Sequence, residues 1–556
     1  MRPTNMKKAM TMTRLIATLT IALAVLLTTA TAYAAAPGIT GPTFNLIAKD
    51  ASITQPDGQM MYSWGYGCNG TPTGFAPAAI KGTFCNTMQI PGPTLIVTEG
   101  QTVSVTLTNG LPTSAGNTSI LFPGFNVTTS CAAATPVGVV GLLTCEAAPG
   151  ATVTYTFTAS SPGTRAYYSG TQSDLQVEMG LYGAVIVLPA TVNTACTGGL
   201  AASNLTAEAH WGEADFRLAN ASGSVGAAYD HAKSCYDREY LFQFSEMDPN
   251  IHNQALAQVN ALGTCIAGAI GCNLEVPTEP YHPAYFLING RSMPDDMDPN
   301  YEPAYPHQPY NGDPHMHPGE QVLLRIIGQG RWQHPFHEHG NHVRILGRDG
   351  NLILSATDAN SLAGPLLFTT TTTPGLAMDG IFYWTGRGLN WDAYGHNPAS
   401  TDPSAVLTCT ADANGYNTGA PTAINYYEWC QDHNKPVEAA PFGDVAGGGP
   451  TTLPSPDLFT NGPWYGGSLY LGPDATLRAT GCSNGTSAGA GGTNCGATGV
   501  TPPSGTIANS PSKEAGYAFM WHSHNEREIT TNNAFPGGML MMMLVDSREF
   551  VIDETN

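Results

Sequence analysis

Four histidines, His334, His337, His339 and His342, crowd into the stretch Gln333 to His342, a density typical of metal ligands. His337 and His339 stand two residues apart, and Trp521-His522-Ser523-His524 repeats that spacing near the C-terminus. On a β-strand, side chains i and i+2 share one face, roughly 7 Å apart. Two such strands side by side would bring four imidazoles together. Neutral imidazole is a common ligand for copper, zinc and non-haem iron. The pattern therefore predicts a transition-metal site made by His337, His339, His522 and His524, with the ion left open among these three. His334 and His342 are further candidates: His334 falls on the opposite strand face, and His342 lies beside the ligands. The structural alternative is a vestigial site.

Other polar clusters invite weaker versions of the same argument. His315-Met316-His317 repeats the spacing before the Pro318-Gly319 turn, where it also reads as a polar strand entry. His210-Trp211-Gly212-Glu213 lies in a connection and reads as structural. Glu526, Arg527 and Glu528 follow the last His pair and read first as a solvated loop, although carboxylates near a metal can act as bases or anchors. Met539, Met541, Met542 and Met543 could offer soft sulfur ligands but fit a core strand better. Asp295-Asp296-Met297-Asp298 lacks the ligand spacing of a calcium loop and reads as a solvated turn.

The elements that must position these residues are strands. Val103, Val105 and Leu107 alternate with hydroxyl residues after Gly100, the pattern recurs at Thr152–Phe157, and Gly183–Leu188 is a continuous apolar run. Residues 43–190 thus read as one Greek-key β-sandwich. Residues 191–240 read as a connection. Pro318–Ile327 then repeats the Glu99-Gly100-Gln101 strand, and Ala166–Thr171 with Gly183 matches Phe519–His524 with Gly538. This internal repeat predicts a second sandwich over 241–546, lengthened by a Gly/Pro/Asn/Thr-rich insertion at about 387–513. The fold class is all-β.

Lys7, Lys8 and Arg14, an apolar run from Leu15 to Leu27 and Ala32-Tyr33-Ala34 have the layout of a Sec-type signal peptide over residues 1–34. A secreted or periplasmic protein with no membrane span after signal removal is expected. Four of the 21 basic residues and none of the 42 acidic ones precede residue 35, so the mature chain is more acidic than the formal −21 and nucleic acid is excluded as a partner. All 12 Cys follow the signal, which suggests disulfides. Neighbours suggest Cys68–Cys85, Cys131–Cys145, Cys265–Cys272, Cys409–Cys430 and Cys482–Cys495, with Cys196 and Cys235 left for each other; sequence alone leaves the connectivity open.

These motifs resemble the multicopper oxidase family in its two-cupredoxin-domain, laccase-like form. In that family a His-Pro-x-His-x-His-Gly segment gives one type 1 copper ligand and two trinuclear ligands, and His334, His337 and His339 fall on those places. Its closing His-Cys-His is represented by His522 and His524, with Ser523 in place of the Cys. Other ligand places have also changed. The first domain's His-x-His-Gly place holds Leu121-Phe122-Pro123-Gly124, its second His-x-His place holds Ser169-Gly170-Thr171, and the last type 1 His is replaced by Glu528, while Gly538-Met539 resembles the family's glycine and axial Met. The resemblance implies two cupredoxin-like domains and copper; family analogy also implies a homotrimer.

A blue type 1 site needs a thiolate, which a serine hydroxyl cannot replace. The expected function is therefore a copper-dependent oxidoreductase that works from a reduced histidine site without type 1 copper, on a small-molecule substrate or oxidant the sequence does not identify. The alternative is a non-catalytic cupredoxin scaffold or periplasmic copper-binding protein.

Overall fold

The computed structural model describes residues 36–385 apart from 73, 78–84, 86–87, 132–143, 192–195, 197–216 and 219–225, and then 409–413, 415–419, 430, 468–470, 517–545 and 552. The signal at 1–34, most of the insertion at 387–513, Cys482, Cys495 and the His210–Glu213 motif lie outside the described residues. Among the described residues, no helix is long and apolar enough to cross a membrane.

Two sheets form from residues 38–188. One runs in the order Met60–Cys68, Thr43–Thr54, Thr102–Asn109, Thr152–Thr158, Thr128–Thr129. The other runs Phe75–Ala76, Gly38–Thr40, Leu95–Thr98, Tyr182–Leu188, Gly163–Tyr168. The alternation at residues 102–109 has the expected effect: Val103, Val105 and Leu107 are fully buried while the hydroxyl residues between them face outward. Between the sheets they pack with Trp64, Tyr66, Tyr155 and Tyr167.

The same plan returns between residues 238 and 545. Arg238–Met247 lies parallel to Gln321–Gly328, as Thr43–Thr54 lies parallel to Thr102–Asn109. The facing sheet runs His315–Met316, Leu540–Val545, Tyr517–Ser523, His334–Glu338, Thr369–Thr372. Here the closing strand pairs antiparallel with Tyr517–Ser523, just as Tyr182–Leu188 pairs with Gly163–Tyr168. Met539, Met541 and Met543 are fully buried among Phe336, Phe519 and Trp521, so these methionines are core residues.

The sequence did not single out the helix Pro249–Leu262. Asp248 caps it by accepting from Asn250 N, Pro249 opens it and Gly263 ends it. The two sandwiches meet through polar groups as well as apolar ones: Asp379 accepts from Thr164 N at 3.0 Å, Thr164 Oγ1 at 2.5 Å and the Tyr229 hydroxyl at 2.6 Å. Arg325, fully buried, pairs with Glu239 at 2.7 Å. The expected disulfides Cys68–Cys85, Cys131–Cys145, Cys196–Cys235, Cys265–Cys272 and Cys409–Cys430 are all present. Asp296 departs from its expectation of a solvated turn: it is completely buried, and burial pushes its carboxyl well above the usual range.

Candidate metal centre

The strands His334–Glu338 and Tyr517–Ser523 run antiparallel, with Phe336 opposite Ser523, His337 opposite His522 and Glu338 opposite Trp521. Because side chains alternate, this register divides the residues cleanly. Phe336, Glu338, Trp521 and Ser523 point into the sandwich and are fully buried, while His337, His339, His522 and His524 share the other face. A slip of one residue would drive the imidazoles into the core, so the apolar Phe336, Phe519 and Trp521 specify the site as firmly as they specify the fold.

On the outer face, His337, His339 and His522 each offer a nitrogen within 4.8 Å of the others. Ring centroids lie 4.9 Å apart for His337 and His339, 5.5 Å for His337 and His522, and 5.1 Å for His339 and His522. The fourth expected ligand, His524, stands at the rim. It is solvent-exposed, with its ring 4.8 Å from His337 and 5.5 Å from His522, and lies outside the tight three-residue group. His342 is separated from the cluster by Phe368, whose ring is 4.9 Å from His342 and 5.9 Å from His337.

The hydrogen bonds around the rings suit a metal. The Ser523 carbonyl accepts from His522 Nδ1 at 2.7 Å, which leaves Nε2 of that ring as its unprotonated nitrogen. That Nε2 lies 3.2 Å from His339 Nε2, so one proton holds the two rings together where an ion could replace it. Thr369 Oγ1 engages His337 Nδ1 at 2.7 Å. Burial, then the neighbouring His339, His522 and His524, push the His337 imidazole down to about 3, and burial also lowers His522. The rings are thus kept neutral, the form that binds metal.

The place where the resemblance would put a type 1 ligand holds an ion pair. Buried His334 donates from Nδ1 to Glu528 Oε2 at 2.8 Å and from Nε2 to Glu246 Oε2 at 2.9 Å. Burial alone would lower this imidazole, but its two carboxylate partners hold it up at about 9, so it is an imidazolium at neutral pH. Ser523 Oγ donates to the same Glu528 oxygen at 2.5 Å. Glu528 is 1% exposed, which corrects the expectation of a solvated loop: it is the anion that balances His334. Both nitrogens of His334 are engaged and the thiolate is missing, so this donor set does not fit copper.

The ion pair extends toward the first sandwich. Glu246 Oε1 accepts from Arg331 N at 2.7 Å, from Trp332 N at 2.9 Å and from the Tyr281 hydroxyl at 3.1 Å. The same hydroxyl lies 2.6 Å from Glu178 Oε2. Burial raises the Glu178 carboxyl above its usual range. Sequence reasoning missed Glu246, Tyr281 and Glu178, which show no motif and lie far from His334 along the chain.

In the first sandwich, Leu121 bridges to Tyr168 where the second sandwich pairs its His strands. The places expected for histidines hold groups that satisfy one another: Thr171 Oγ1 donates to Ser119 Oγ at 2.8 Å, and Ser169 Oγ and Thr118 Oγ1 donate to Gln176 Oε1 at 2.6 and 2.9 Å. His315 and His317, the other His-x-His pair, are buried beside Asp313 and Glu320, with His315 Nε2 3.5 Å from Asp313 Oδ2 and His317 N donating to Glu320 Oε2 at 2.7 Å.

Comparison with known proteins finds a family match over the first sandwich. A family described as "Multicopper oxidase" matches residues 78–191. Laccase-3 of Botryotinia fuckeliana is 39% identical over 104 residues, 18% of this chain and 21% of that protein. An L-ascorbate oxidase of Brassica rapa subsp. pekinensis is 34% identical over 99 residues, 18% of this chain and 16% of that protein. The matches thus span only 21% and 16% of these two curated relatives. Among solved structures, a blue copper oxidase from Nitrosomonas europaea aligns at 15% identity over 90% of this chain and 85% of its own, with a TM-score of 0.41. The multicopper oxidase mgLAC aligns at 14% identity over 91% and 85%, with a TM-score of 0.39. Over residues 78–191, and over the stretches shared with these two relatives, this chain is thus similar to the multicopper oxidase family.

Proposed function

We propose that the chain is a copper-binding protein of oxidoreductase type that holds one copper on the outer face of the His334–Glu338 and Tyr517–Ser523 strands. The observation that carries this reading is the convergence of His337, His339 and His522, three imidazoles with nitrogens within 4.8 Å, and His524 at the open rim. Copper held there would supply one-electron exchange between its cuprous and cupric states. The chain's own residues would do the rest. Ser523 and Thr369 fix the ring orientations of His522 and His337, burial and then the neighbouring rings keep His337 unprotonated, and the exposed His524 side admits a small oxidant or reductant.

A second reading, copper binding without turnover, is favoured by one specific observation. The ion pair of His334 and Glu528 fills the place where electrons would enter a family member with type 1 copper. The export signal read at residues 1–34 and the five disulfides support a secreted or periplasmic setting for either reading.

Metal analysis of the protein purified from its own compartment tests the copper assignment and separates copper from zinc. Oxygen uptake with a one-electron donor then separates enzyme from binder. Close to one copper per chain is expected. Protein isolated without copper that also fails to take it up would contradict both readings.

A further inference from the structure

His524 is the exposed one of the four outer-face imidazoles. The registered pairing of the two His-bearing strands ends at Phe336 and Ser523, and residues 524–527 are exposed. The segment is nevertheless ordered, because it closes on one carboxylate. Glu528 Oε2 accepts from Ser523 Oγ at 2.5 Å and from His334 Nδ1 at 2.8 Å, and Oε1 accepts from Asn525 Nδ2 at 2.9 Å. Asn525 N donates to Ser523 Oγ at 3.2 Å, and Glu528 N donates to Asn525 O at 2.8 Å. His524 N donates to Pro335 O at 2.8 Å, beside His334.

A single buried carboxylate therefore ties the strand that carries His337 to the turn that carries His524, from the inner side of the sheet. We propose that Glu528, acting through Ser523 and His334, is a positioning residue that holds His524 at the rim so that a metal bound by the other three imidazoles takes a fourth. The proposal rests on the reading of the cluster as a copper centre. Its physical basis is preorganisation. Without the clamp, fixing residues 524–527 would cost conformational entropy at the moment of binding; with it, that ordering is completed in folding. The ion pair thus contributes to the metal centre without touching the metal.

The test loads the native protein and the variants Ser523→Ala, Glu528→Gln and His524→Ala with Cu(II). Affinity is measured by chelator competition and the coordinated imidazole nitrogens are counted by pulsed EPR, with circular dichroism to confirm folding. Native protein is expected to show four imidazoles. Ser523→Ala and Glu528→Gln should move to the three-imidazole spectrum of His524→Ala, with an affinity loss of roughly tenfold or more. Ser523→Ala keeps the pair of His334 and Glu528 intact, so the test stands even if Glu528→Gln does not fold. Folded Ser523→Ala protein with the native spectrum and affinity would overturn the clamp. So would native protein that binds copper with the same three imidazoles as His524→Ala. Native protein that takes no copper would remove the copper reading itself, and the clamp with it.

Discussion

His337 and His522 are direct cross-strand partners, with ring centroids 5.5 Å apart and planes at 71°. Their backbones are fixed by a sheet ladder whose inner face is Phe336, Trp521 and Ser523, so the site inherits the rigidity of the core. A metal centre built this way needs little rearrangement to accept an ion. The imidazole cluster keeps this geometry although the other places expected for ligands hold Leu121, Ser169, Ser523 and Glu528.

His334 is expected to be important for folding rather than for metal binding. His334→Ala would leave Glu246 and Glu528 buried without their shared cation, and breaking a buried pair in this way costs about 3 to 5 kcal/mol. An emptied site would have made that residue dispensable. Denaturant unfolding of the variant checks the difference, and a loss under about 1 kcal/mol would contradict the ion-pair account.

Stability of the metal-free protein should fall on both sides of about pH 6.5, for opposite reasons. His334 is raised from 6.5 to about 9, so its contribution is complete below 6.5 and is lost as pH rises through 9. His337 is lowered from 6.5 to about 3, so the unfolded chain takes up its proton first and acid destabilises the fold as pH drops below 6.5. Melting temperatures measured across pH check this. His334→Gln should flatten the alkaline limb relative to the native protein and His337→Gln the acid limb.

Ser523→Cys alone should give no intense thiolate-to-copper absorption in the orange-red. The new thiol would face Glu528, and His334 Nδ1 would still be bound to that carboxylate. Visible spectra of the copper-loaded variant decide this, and a strong blue colour would show that the ion pair yields readily to copper.

The strand faces were legible in the sequence because a period of two leaves little choice: His337 and His339 cannot point with Phe336, nor His522 and His524 with Ser523. Four of the disulfides among the described residues were legible as neighbours, and Cys196–Cys235 only as the pair left over. What filled the type 1 place was not. Glu528 could be read as a missing ligand, but its burial depends on His334, 194 residues earlier, and Glu246 lies 88 residues before that histidine. Charge pairs formed between distant strands leave no periodic trace. The helix Pro249–Leu262 is marked in the sequence by Asp248-Pro249 and Gly263, a capping signal without a strand period or a ligand motif. His524 shows the limit of strand reasoning: its spacing placed it on the right face, yet pairing ends at Ser523, so its ring stands at the rim rather than inside the group.

The most direct test of the central claim is an equilibrium copper titration of the native protein beside the double variant His337→Ala with His522→Ala, both shown to be folded. The arrangement predicts one copper per native chain, bound by imidazole nitrogens, and no binding at that site in the double variant. Native protein that binds no copper, or a double variant that binds as the native protein does, would contradict the account.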